Sequence, residues 1–156
     1  MAASVNVSLA VSRVLAVDLE GTLISNAMSQ IPRPGLREFL ETCASLYPRV
    51  VLYTAVPAPR VDVIIRLLVD EGTAPPWFAQ TELVQWSGPT KDLTFIRGVP
   101  PAQAVLVDDN PAYVHPGQEL HWVRVEEFCH PYPEDDTGLA DILPELRRRA
   151  GASEEP

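Results

Sequence analysis

Three features of this 156-residue chain predict an α/β fold, a three-layer α/β/α domain around a mostly parallel sheet. Unbroken apolar runs recur as Val14-Leu15-Ala16-Val17, Val50-Val51-Leu52-Tyr53 and Ala104-Val105-Leu106-Val107. Runs without polar alternation suit strands buried on both sides. Stretches with apolar residues at helical spacing separate them. Finally, the runs lead into Asp18, Thr54 and Asp108, at the carboxyl ends of strands, where open α/β sheets place their ligands.

In order, the first run ends at Asp18 and the pair Gly21-Thr22 provides a turn. A polar loop over residues 25–33 closes with Pro32-Arg33-Pro34-Gly35. Leu36, Phe39, Leu40, Cys43, Ala44 and Leu46 then mark one face of a helix, with Pro34 in its first turn and Pro48 stopping it. The second strand spans residues 50–54. Pro57 and Pro59 lead into a second helix, whose inner face is Val61, Ile64, Ile65, Leu67 and Leu68 and whose end is Gly72. Residues 73–89 differ in character: Trp77, Phe78 and Trp86 lie among prolines, and a short strand or hairpin is expected, with a ring lining an open site as one outcome. One or two helical turns follow at 91–96, then a strand at Ala104–Asp108 and another, nearer an edge, at 122–125. A closing helix covers 138–150, where Pro144 predicts a kink or a late start.

The length suits a single domain, 1–150, with a disordered tail at 151–156. Twelve basic and twenty-one acidic residues leave a net charge of −9, which disfavours nucleic acid as a partner. Arg147, Arg148 and Arg149 read as a cationic helix terminus. Neither a secretory signal nor a membrane span is expected. Cys43 and Cys129 are too few for a disulfide framework, so a reducing cytoplasm is the expected location.

If the strands ending at Asp18, Thr54 and Asp108-Asp109 are neighbours, their polar ends converge on one edge. Clustered carboxylates repel, and a hard divalent cation with oxygen ligands relieves them, which points to magnesium. Lys91 and the Thr54 hydroxyl would then suit a bound phosphoryl group. Each residue alone has a plainer reading: Asp18 as a turn starter, Thr54 as a strand end, Lys91 as a solvated helix start, Asp108-Asp109-Asn110-Pro111 as a turn.

Together these motifs resemble the haloacid dehalogenase superfamily, whose first motif is Asp-x-Asp-Gly-Thr and is here Asp18-Leu19-Glu20-Gly21-Thr22. The chain is most similar to the branch of small C-terminal-domain phosphatases and NLI-interacting-factor-like proteins. The matching residues are Arg33-Pro34-Gly35 with Phe39-Leu40, Leu52-Tyr53-Thr54-Ala55, Lys91-Asp92-Leu93, Val107-Asp108-Asp109-Asn110-Pro111, and Asp135-Asp136-Thr137 running to Asp141-Ile142-Leu143-Pro144. The resemblance implies a Rossmann-like domain that is capless or carries a minimal β insertion. It implies Asp18 as the nucleophile forming an aspartyl-phosphate, with Thr54, Ala55 and Lys91 holding the phosphate. Magnesium is implied on the Asp18 side chain, the Glu20 carbonyl and Asp109, with Asp108 beside it. The implied substrate is a phosphoprotein or another exposed phosphomonoester. Glu20 departs from the pattern, since the family's general acid and base there is Asp. The extra methylene displaces the carboxyl, and about 1 Å of misplacement can cost roughly a hundredfold. The rival expectation is therefore a catalytically weak or inactive fold that serves as a protein-binding module.

Overall fold

The computed structural model describes residues 11–152. Its elements in chain order are β1 (Val14–Val17), α1 (Leu36–Leu46), β2 (Arg49–Leu52), α2 (Ala58–Asp70), β3 (Glu82–Leu83), β4 (Ala104–Asp108), β5 (Trp122–Arg124) and α3 (Gly138–Arg149). Five parallel strands form one sheet in the order β3-β2-β1-β4-β5. Val17 is in register with Leu52 on one side and Val107 on the other. The chain leaves β1 towards β2 and β3, then returns to the opposite side of β1 for β4 and β5. That reversal is a topological switch point, and it lies beside Asp18.

Right-handed crossovers place connections that run in opposite directions on opposite faces of a sheet. Leu15, Val17, Leu52, Val105 and Val107 pack in one core with the buried faces of α1, α2 and α3. Val14, Ala16, Val51, Tyr53 and Leu106 face the other way, onto Val84, Leu93 and Ile96 from the β3–β4 crossover. Both faces are covered, but the second cover is an irregular crossover whose regular parts are short 3₁₀ turns at Leu93–Phe95 and Pro101–Gln103. Its prolines and Gly98 leave no room for a longer helix, and it is this crossover that carries Lys91 across the sheet.

Several local details differ from expectation. Residues 73–89 form a 3₁₀ turn at Pro76–Gln80 and the two-residue β3, with no hairpin, because Glu82 and Leu83 pair in parallel with Val51 and Leu52. Pro34 precedes the α1 N-cap, which is Gly35 at φ 78°, a left-handed conformation. Leu67 is on the exposed side of α2, while Val61, Ile64, Ile65 and Leu68 are buried. Gly72 closes α2 in the left-handed region, with the Thr73 N–H reaching back to the Leu68 carbonyl. The closing helix starts at Gly138, so Pro144 delays nothing; it sits inside α3. Most of the expected tail lies outside the described residues.

Candidate active site

Parallel register brings the ends of β1, β2 and β4 together, as their sequences require. The Asp18 N–H donates to the Val107 carbonyl, and the Tyr53 N–H to the Val17 carbonyl, so the ladder continues one residue past the strands. Asp18, Asp108, Thr54 and Lys91 are all buried at this edge. Carboxylate oxygens of Asp18, Asp108 and Asp109 lie within 4.8 Å of one another.

The Lys91 ammonium donates to Asp18 Oδ1 at 2.9 Å and to Asp108 Oδ2 at 2.6 Å. It is no solvated helix start: only 1 % of the residue is exposed. The Tyr113 ring lies 4.6 Å from Nζ, and the Tyr113 carbonyl accepts the Lys91 N–H. Asp108 spends its other oxygen on the Asn110 N–H at 2.9 Å, which leaves Asp18 and Asp109 as the less committed carboxylates. The Thr22 hydroxyl sits between these two, 3.2 Å from Asp18 Oδ2 and 3.0 Å from Asp109 Oδ1. With one proton it serves either oxygen, not both. Gly21 allows this approach: its φ is +73°, and a Cβ there would fall 2.7 Å from Asp109 Oδ2.

Thr54 Oγ1 accepts the Val56 N–H at 3.1 Å and so keeps its own proton for another acceptor. Thr54 and Ala55 line a cavity of about 260 Å³ with Asp18, Asp109, Tyr113 and Glu20. The Glu20 side chain lies outside the carboxylate cluster, because its Oε2 accepts the Ala27 N–H at 2.7 Å.

Electrostatics separates the groups. Burial holds the Asp18 carboxyl well above the usual carboxylate range; Lys91 opposes this, and the neighbouring Asp108 charge reinforces it. Asp108 is likewise raised by burial against the pull of Lys91. For Lys91 burial acts downward, but Asp18 and Asp108 together outweigh it and raise the ammonium pKa. One buried cation thus faces three clustered carboxylates, a donor set that fits a hard divalent ion.

This imbalance has a pH signature. A carboxyl whose folded pKa lies above its unfolded value binds more protons when folded, so stability falls as pH rises through that window. For Asp18 the window opens near 3.8 and extends upward. A cation competes with those protons. Magnesium should therefore raise the melting temperature more near neutrality than at about pH 5, and at a hundredfold excess over its dissociation constant it should add about 2.7 kcal/mol of stability. Equal melting curves with and without magnesium at both pH values would overturn the metal site.

Nothing local announced several of these partners. Thr22 belongs to the first motif, but its bond to Asp109 spans 87 positions. Arg33 and Asp136, both in matching motifs, form a bidentate pair at 2.7 and 3.2 Å across 103 positions. The Arg33 guanidinium also donates to the Thr22 carbonyl and lies over the Phe128 ring. Trp86 donates its indole N–H to the Thr54 carbonyl at 2.9 Å; Phe78 is buried elsewhere, and Trp77 lines a different cavity.

The family model of NLI interacting factor-like phosphatases matches residues 13–155. The chain belongs to this family. The family is part of the haloacid dehalogenase superfamily, whose phosphatases generally use magnesium. No curated protein matches the chain. The five-stranded parallel sheet and its three α-helices agree with a Rossmann-like α/β fold, and no helix among the described residues is long and apolar enough to cross a membrane. Family membership supports phosphatase activity.

Proposed function

We propose that this NIF-like protein is a magnesium-dependent phosphatase that hydrolyses phosphomonoesters through an aspartyl-phosphate on Asp18. The observation that carries this reading is the junction in which Lys91 bridges Asp18 and Asp108 while the Thr22 hydroxyl lies between Asp18 and Asp109. That junction holds the Asp18 carboxylate through Lys91 and would supply ligands for a cation. Asp18 and Asp109 would hold magnesium, with the Glu20 carbonyl completing the set and Asp108 beside it. Bound magnesium would neutralise charge on the phosphoryl oxygens.

The Asp18 oxygen attacks phosphorus, and the bond from phosphorus to the ester oxygen breaks. The Glu20 carboxyl gives its proton to the departing alkoxide. A water then attacks the phosphoryl group and gives its proton to the Glu20 carboxylate, releasing phosphate and restoring Asp18. Thr54 donates its remaining proton to a phosphoryl oxygen, and the wall at Ala55 keeps that oxygen in place. Lys91 holds Asp18 in line and balances the charge beneath the phosphate.

Candidate substrates are phosphoproteins and small phosphomonoesters with an accessible phosphate; the −9 net charge argues against nucleic-acid ends. Two unpaired thiols, buried Cys43 and exposed Cys129, suit a reducing compartment such as the cytoplasm. One observation favours a binding module instead: the Glu20 carboxyl is tied to the Ala27 N–H, away from the other carboxylates. Phosphate release from an aryl phosphate, with and without magnesium, separates the two. Magnesium-dependent release establishes the phosphatase, and no release across a broad ester panel overturns it.

A further inference from the structure

A second cavity, about 540 Å³, lies against the first, and the two share Thr54 and Ala55. Its walls include Pro57 and Ala58 at the start of α2, Leu83 from β3, and Gln85, Trp86 and Ser87 beyond it. None of the described residues lining it carries a charge. The first cavity is the opposite, with Asp18, Glu20, Asp109 and Glu127 on its walls. A ligand reaching across Thr54 passes from an acidic, cation-binding chamber into an uncharged, partly apolar one.

Trp86 is anchored at this groove. Its indole N–H is held by the Thr54 carbonyl at 2.9 Å, and its ring packs edge-on against Tyr53 at 5.3 Å and Tyr113 at 6.2 Å. Tyr113 in turn touches Lys91 and lines the acidic chamber. An aromatic wall therefore runs from the lysine of the site to the groove. With its polar atom already satisfied, the indole offers the groove apolar and π surface. The volume falls in the range of small-molecule sites.

We propose that this groove is the leaving-group subsite, selecting small phosphomonoesters whose alcohol is an uncharged aromatic group. The proposal rests on the phosphatase reading for the position of the phosphate. Substrates with a second anionic group are disfavoured twice, by the uncharged groove and by the carboxylates of the chamber. Aryl groups gain by stacking on a wall whose indole is already held by its own contacts.

The test compares aryl phosphate esters that differ in the size and charge of the leaving group. The full chain with magnesium should show kcat/KM for 2-naphthyl phosphate about tenfold above that for phenyl phosphate, mainly through KM, as expected for one ring's added apolar contact. The 4-carboxyphenyl ester should be poorer than phenyl phosphate despite its better leaving group. Ser87→Asp and Gln85→Glu, both at exposed positions, should bring the naphthyl-to-phenyl ratio close to one. A ratio near one in the wild type, a ratio unmoved in both variants, or a phosphotyrosine peptide preferred over 2-naphthyl phosphate would overturn the subsite. A second readout does not need turnover: 2-naphthyl phosphate should shift the NMR resonance of the Trp86 indole N–H, assigned with Trp86→Phe, and phosphoserine should not. If no ester is hydrolysed the phosphatase reading falls, and the indole resonance alone decides the groove. An unshifted resonance then overturns it.

Discussion

Asp18→Asn is expected to abolish phosphate release, since no other carboxylate can take its place as nucleophile. Asp108 is closed in by Lys91 and the Asn110 N–H, and Asp109 reaches the cluster from the far side of Thr22. Glu20→Gln should slow both the phosphorylation of Asp18 and the attack of water, lowering turnover by about a hundredfold to ten-thousandfold, the range for losing a general acid or base. Glu20→Asp separates two histories of the site. If the longer acid is a defect, shortening it restores the family geometry and speeds the enzyme. If the loop has been refitted around Glu20, the bond to the Ala27 N–H breaks and the enzyme slows. Single-turnover assays on the four proteins with magnesium decide the matter. Hydrolysis by the wild type that disappears in Asp18→Asn excludes a pure binding module, and four flat traces across a broad panel exclude the phosphatase.

The largest stability effect is expected at Asp136. Arg33 is fully enclosed, with 0 % of its side chain exposed, and Asp136 is its counter-charge. Asp136→Ala leaves that cation buried without its counter-charge and should cost about 3–5 kcal/mol. A domain of this size has about 5–15 kcal/mol in total, so the loss is a large fraction. Denaturant titration measures it, and a loss below about 1 kcal/mol would mean that water solvates Arg33. Gly138→Ala should act on the same pair, because a Cβ there would overlap the guanidinium. Partial burial pushes the Asp136 carboxyl up, but the Arg33 and Gly138 donors and the Arg33 charge outweigh it and hold it below its usual range. A lowered carboxyl pKa stabilises the fold above the unfolded value of 3.8, and the contribution is lost as pH falls through the folded value. The pair therefore adds to acid sensitivity, while the raised carboxyls of Asp18 and Asp108 act in the opposite sense.

How much was legible follows from the range of each interaction. Val14–Val17 and Ala104–Asp108 read as buried strands because both faces of each are covered, and the sequence of each shows it. α1 read correctly because Leu36, Phe39, Leu40 and Cys43 repeat at its own period. β3 did not read as a strand of defined partner: two residues carry no periodicity, and their pairing is set by β2. The convergence of Asp18, Asp108 and Lys91 was legible only as an ordered set of motifs. Its geometry depends on the register of three strands and one crossover. Trp86 was singled out as an aromatic beside prolines, but its bond to the Thr54 carbonyl depends on where the crossover lands.

The Arg33–Asp136 pair also orders events during synthesis. Arg33 is synthesised 103 residues ahead of its counter-charge. Until then the loop after β1 must either keep the guanidinium in water or enclose it unpaired. The first choice keeps the Thr22 carbonyl without its guanidinium donor and the Phe128 ring unpacked. A nascent chain can thus form β1, α1, β2 and the Lys91 crossover yet remain open at the carboxylate edge. Closure waits for the segment that brings Phe128 and Asp136, so a site whose nucleophile is Asp18 is completed by residues more than a hundred positions downstream.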